Sequence, residues 1–180
     1  NEIEKAFHEV TDKAEIERIF GEAVKAECVG AAFSKGTGNV LPLFAHPSGF
    51  GRIAIAYGRD KIYSIPCDMD TNMDFLFGKM SELAGSAKRF SMCGLKEYLG
   101  YLPGAKKETS FDAVVAAYLL NPLKSDYEYE DVAREQLNLL IDEKLDDAAK
   151  ASYEAYTAYA AAPVLDEKLK ETGMDHLFYD

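Results

Sequence analysis

At 180 residues the chain has room for one domain of ordinary size with its own core. An apolar fraction of 48% and an aromatic fraction of 12% exclude a disordered polar chain, and no apolar run approaches the ~20 residues that cross a bilayer. The formal net charge of -11, with eight Asp/Glu in residues 1–30 and nine in 121–150, argues against a broadly basic nucleic-acid binder. Only Lys88 to Lys107 is locally basic, with five Lys/Arg against Glu97. Cys28, Cys67 and Cys93 form no CxxC and cluster with none of the three histidines, so a zinc site is not expected and a reduced, cytoplasmic chain is.

Asn1 to Val10 carries four charged residues and does not read as a secretory signal. Thr11 or Asp12 caps a first helix. Glu15 stands at capping-box distance from Asp12, and Ile16, Ile19, Phe20, Ala23 and Val24 follow at helical spacing. Cys28 to Phe33 is either a buried strand or the last helical turns. Val40 to Ala45 is a second strand candidate, weakened by Pro42. Arg52–Tyr57 and Lys61–Ile65 flank Gly58-Arg59-Asp60 and predict a hairpin that ends at Pro66. Asp70, Thr71 or Asn72 caps a helix from about Met73 to Ala84.

Lys88–Cys93 is a short strand candidate, and Leu95–Tyr101 reads as helical up to Pro103-Gly104. Ser110 is placed as the cap of a helix from Phe111 to Leu120, broken by Asn121-Pro122. A capping box of Ser125 and Glu128 precedes a helix to about Leu140. Leu145–Met174 is helical but interrupted by Pro163. Strands first and helices later, with no linker or repeat, predict a small sheet covered by helices in a single domain spanning 1–180.

The segment Phe111-Asp-Ala-Val-Val-Ala-Ala-Tyr-Leu-Leu-Asn-Pro122, followed by Tyr129-Glu-Asp-Val-Ala-Arg-Glu-Gln-Leu137, resembles the proofreading-exonuclease domain of bacterial family A DNA polymerases. The hairpin ending in Tyr63-Ser-Ile-Pro66, the strand and helix around Arg89–Leu102 and the long C-terminal helix follow the same layout. The resemblance implies an α/β, ribonuclease H-like mixed sheet flanked by helices. It further implies a piece of a longer cytoplasmic bacterial polymerase, which would be the chain's partner and would carry its DNA contacts, with weak or no DNA binding by this domain alone and no membrane.

Active members of that family hold two divalent ions with four carboxylates, supplied by D-x-E on the first strand, N-x-x-x-D, and Y-x-x-x-D on the last helix. Counting from the first helix places D-x-E at Ala32 and Ser34, whereas a first strand at 40–45 would place it near Ala45 and Pro47. No Asp or Glu occurs from Cys28 to Arg59, so either register lacks acids. The second motif falls on Met92 and Lys96, with Glu97 expected about 100° away around a helix. For the third, Tyr153, Tyr156 and Tyr159 are followed four residues later by Thr157, Ala160 and Pro163, and Tyr159/Pro163 fits best. The expectation is a degenerate site, with no cofactor in this domain and Mg²⁺ confined to the parent polymerase. Ala32 (or Ala45), Lys96 and Pro163 should then converge on one former cleft.

Alternatives stay open at this point. Asp68, Asp70 and Asp74 could ligate a metal, but they equally suit the start of a helix. An active metal-dependent nuclease could use Asp68, Asp70 or Glu97 as replacement carboxylates. The acidic faces could serve protein interaction. The glycines near Gly36, Gly49 and Gly58 match no phosphate-loop pattern and suit turns. Tyr153, Tyr156 and Tyr159 could stack on bases but are better explained by packing along one helical stripe.

Overall fold

The structure, a computed structural model, describes residues 2–35, 49–67 and 73–179. The candidate strand at 40–45 and the acids Asp68 and Asp70 lie outside the described residues. So do the cap candidates Asp70, Thr71 and Asn72.

A short 3-10 helix, Glu2–Ala6, leads into β1 (Phe7–Glu9). Next come α1 (Lys13–Ala23), β2 (Val29–Ser34), β3 (Arg52–Gly58), β4 (Lys61–Pro66), α2 (Met73–Ser86) and β5 (Phe90–Met92). A second 3-10 helix, Leu95–Tyr101, precedes β6 (Ser110–Asp112), α3 (Ala113–Leu120), α4 (Tyr129–Leu137), α5 (Asp147–Glu171) and α6 (Asp175–Tyr179). The six strands form one mixed sheet in the order β1-β4-β3-β2-β5-β6. β2, β3 and β4 are antiparallel neighbours, while β1, β5 and β6 each join in parallel.

Alternation along the central strands assigns the two faces. Ala31, Phe33, Ile53, Ile55, Ile65, Phe90 and Met92 pack with Ile16, Ile19, Leu76 and Met80 of α1 and α2. Ala32, Ala54, Ala56 and Ile62 point to the other face and meet Tyr153 and Ala155 of α5. The small residues on that second face let α5 lie directly on the strands. A Cβ added at Gly30 would stand 2.0 Å from the carbonyl oxygen of Ala155 and 2.4 Å from the nitrogen of Tyr159. No side chain fits there, so Gly30 sets how closely helix and sheet approach.

Local signals explain most boundaries. Asp12 caps α1, accepting the Glu15 amide at 3.0 Å. The candidate at Cys28–Phe33 resolves as the strand Val29–Ser34, because β2 is flanked by β3 and β5 on its two edges. Ser110 is not a helix cap. It opens β6, and the helix begins three residues later, capped by Asp112, whose Oδ1 accepts Val114 N at 3.0 Å and Val115 N at 3.2 Å. The same carboxylate accepts Gly94 N at 3.1 Å and Leu95 N at 2.9 Å, tying the turn after β5 to the end of β6.

The capping box before α4 is Glu128 with Asp131, not Ser125 with Glu128, and the Glu128 amide donates to Asp131 Oδ2 at 2.9 Å. α4 stops at Leu137 because Asn138 turns into the left-handed region at φ 56°. β1 has no counterpart in the sequence reading. It is held by Ile62–Ser64 of β4, by Phe7 against Tyr153 (4.9 Å, edge-on) and by the Tyr153 hydroxyl donating to Glu4 at 2.6 Å.

Pro163 lies inside α5, which runs as one helix from Asp147 to Glu171 instead of two segments. The missing proline N–H costs one rung of the ladder. Ala158, Ala161, Ala162 and Leu165 around it are fully buried, and this packing keeps the helix in register.

Candidate functional site

A cleft of about 300 Å³ opens at the C-terminal end of β2. The strand contributes Ser34 and Lys35, α4 contributes Tyr129 and Glu130, and α5 contributes Lys150 and Glu154. Asp142 and Glu143 line it from the loop before α5. Ser34 shares the α5-facing side of β2 with fully buried Ala32 by strand alternation. Of the two, Ser34 lines the cleft, while Ala32 is buried beneath α5.

Carboxylates come from the other walls. Burial, then Glu130, Glu97 and Glu128 in that order, push the Glu154 carboxyl from its ordinary 4.5 up to about 8. Four glutamates from the 3-10 helix, the start of α4 and the middle of α5 thus share one field. Burial and then Glu154 lead the causes that push the Cys93 thiol and the Tyr98 hydroxyl upward, which places both beside the same cluster.

The sequence-derived positions separate in space. Ala32 and Ser34 belong to the cleft strand. Met92 is fully buried and faces the α1–α2 core instead. Lys96 is exposed, and its neighbour Glu97 is the residue that acts on Glu154. Tyr159 and Pro163 line a different groove, together with Cys28 at the opposite end of β2. Nine residues of helix, about 13 Å, separate Pro163 from Glu154. Ala32, Lys96 and Pro163 therefore do not converge.

Shifted registers place an acid at each motif's last position. Cys93-x-x-x-Glu97 has the spacing of the second motif one residue further on, and Lys150-x-x-x-Glu154 has that of the third nine residues earlier. Anchoring on tyrosine passes over Glu154, and anchoring on the Leu102-Pro-Gly turn puts Lys96 at the motif's last position and leaves Glu97 only as a replacement carboxylate. The four-residue spacing to a glutamate was the available signal. Of the four expected ligand positions, two carry glutamate, while the β2 pair is Ala32 and Ser34.

The fit to a two-ion centre fails on this donor set. Two divalent cations at ~4 Å need several carboxylates to offset their repulsion, and hard ions need oxygen donors that alanine cannot give. Among the described residues, no three His, Cys, Asp or Glu are arranged to hold a metal ion.

Known structures share this architecture. The chain matches the POL domain of Pol1 from M. smegmatis in complex with DNA primer-template and dNTP with a TM-score of 0.68 and 14% identity, covering 96% of this chain and 29% of that one. It matches the catalytic core of RRP6 from Trypanosoma brucei at 0.69 and 13%, covering 96% of this chain and 49% of that one. For Brucella melitensis NrnC bound to pGG the values are 0.66 and 13%, covering 96% and 85%. The chain thus spans under a third of the Pol1 chain and about half of the RRP6 chain. No family model and no curated protein matches it. The six-stranded mixed sheet flanked by helices is the ribonuclease H-like exonuclease fold. Among the described residues no helix is long and apolar enough to cross a membrane.

Proposed function

We propose that this chain is the exonuclease-like domain of a bacterial family A DNA polymerase, that its nuclease chemistry has been lost, and that it serves the parent enzyme as a structural module. The observation that carries the reading is the cleft strand, where Ala32 and Ser34 stand at the positions that would supply the first two carboxylates. Glu97 and Glu154 alone leave both ions short of ligands. Without metal charge, the glutamates of the cleft repel a phosphodiester. The polymerase link rests on the Phe111–Pro122 and Tyr129–Leu137 resemblance, and the match to the Pol1 structure supports it. On this reading the remainder of a cytoplasmic polymerase is the partner, DNA is held through that parent, and Mg²⁺ acts in the polymerase site.

A second reading has one observation in its favour: Glu154 lines the cleft, and Glu97 is close enough to act on it electrostatically. It makes the domain a metal-dependent exonuclease with an abbreviated ligand set. One assay decides between them. A 3′-labelled single strand is incubated with the purified chain and Mg²⁺ or Mn²⁺, beside a mock purification. The structural-module reading expects no digestion above the mock. Metal-dependent loss of the 3′ label that disappears in the Glu97→Gln and Glu154→Gln variants establishes the nuclease instead.

A further inference from the structure

A groove of about 960 Å³ lies at the other end of β2 from the acidic cleft. The six residue steps from Cys28 to Ser34 put the two sites about 20 Å apart. Four elements or their connections build the groove: the segment after α1, the β3–β4 turn, the approach to β5, and α5. Its charge is opposite to that of the chain. Lys25, Arg59, Lys88 and Arg89 line it with Glu27, while Glu22, which accepts from Tyr57 at 2.7 Å, and Asp60 stand at its edge, in a protein with 31 acids and 20 Lys/Arg.

These cations differ in how far they are engaged. Lys88 pairs with Glu27 at 3.0 Å, and Arg89 pairs with buried Asp166 at 2.9 Å. Lys25 and Arg59 are exposed and have no ion-pair partner among the described residues. The groove wall between them is aromatic. Tyr156 and Tyr159 project from α5 as half-buried rings with centroids 6.1 Å apart, and Tyr57 lines the wall from β3. Exposed cations beside partly exposed aromatic rings make the kind of surface that single-stranded nucleic acid uses: phosphates meet lysine and arginine while bases stack on tyrosine. An acidic peptide would satisfy the charges but offers no flat group for the rings. The volume falls at the upper end of the ~300–1,000 Å³ typical of ligand sites, far more than one phosphate needs.

The geometry points to this groove as a binding site for single-stranded nucleic acid, separate from the cleft and independent of whether the cleft is catalytic. The net charge of -11 repels the strand at a distance, so binding is local, modest and strongly salt-dependent.

The test is fluorescence polarisation of a short fluorescein-labelled oligodeoxythymidylate with the 180-residue chain across a salt series, without divalent ions. The wild-type chain binds at low salt. The double variant Lys25→Glu/Arg59→Glu binds at least about tenfold more weakly, and its log–log salt slope falls by about 1.4, the value for two lost phosphate contacts on a single strand. Tyr156→Ala weakens binding at least about fivefold with the slope unchanged, because stacking releases no counterion. Lys144→Glu, an exposed change outside the groove, leaves affinity near wild type. Circular dichroism confirms that each variant is folded. The proposal is overturned if the wild type does not bind the probe or if the double variant binds as the wild type does. Displacement of the probe by polyglutamate as effectively as by unlabelled oligonucleotide overturns it too, because the groove would then take acidic polypeptide.

Discussion

The thiol of Cys28 lies 3.8 Å from the carbonyl oxygen of Tyr159, the acceptor that Pro163 leaves without its helical donor. Burial pushes the Cys28 thiol up to about 11, against the pull of Arg89, so it keeps the proton it donates. A side chain from the start of the sheet thus replaces part of what the proline takes from the helix.

That relationship predicts coupling. Pro163→Ala restores a backbone donor to Tyr159 and raises stability by about 1–3 kcal/mol. Cys28→Ala costs about 1 kcal/mol in the wild-type chain and less in the Pro163→Ala background. Urea denaturation of the four proteins measures both. Strict additivity would show that the two residues act independently.

Gly30→Ala is expected to be among the most damaging single changes. Its methyl would overlap the backbone of Ala155 and Tyr159, and neither the central strand nor the helix can retreat without opening the core. A loss of about 3 kcal/mol or more follows, or failure to fold. Gly78, with open space around its Cβ position and a place inside α2, is the control, and Gly78→Ala should stabilise by about 1 kcal/mol.

Glu154 gives stability a pH dependence opposite to that of a salt-bridged acid. The folded chain holds its proton more tightly than the unfolded chain, so between about 4.5 and about 8 unfolding releases a proton and stability falls as pH rises. Glu154→Gln removes the charge that burial and Glu130 oppose. The variant should be more stable than wild type by about 2 kcal/mol or more once the pH exceeds about 8, with the advantage vanishing near pH 4. Thermal melts across that range decide it, and a constant difference would mean that Glu154 titrates normally.

Asp112 accepts four backbone amides from two segments. Asp112→Ala strands all four and should cost about 3 kcal/mol or more. Asp112→Asn keeps one acceptor oxygen and should cost less. Equal losses in the two variants would show that the amides find other partners.

Local chemistry made much of the fold legible. The Asp12 cap, the hairpin around Arg59-Asp60 and the apolar face of α1 are signals carried within a few residues, and each element formed where its residues place it. The Phe111–Leu137 pattern, read as a family resemblance, carried the fold class. The short outer strands β1 and β6 were not legible, because three residues show no period and gain strand geometry only from a neighbour. Continuity of α5 through Pro163 was decided by burial on several sides, which outweighs one missing hydrogen bond. The candidate site divided in the same way. Absence of acids from Cys28 to Arg59 is a property of the sequence alone and leaves β2 without a carboxylate in any register. Which acids remain in the cleft depends on where α5 and the turn after β5 lie against that strand. Gly30 and Asp112 help set those positions, and so Glu154, not Pro163, lines the cleft, with Glu97 close enough to act on it electrostatically. The basic, tyrosine-lined groove is likewise a product of tertiary structure, because its cations come from segments far apart in a chain that is acidic as a whole.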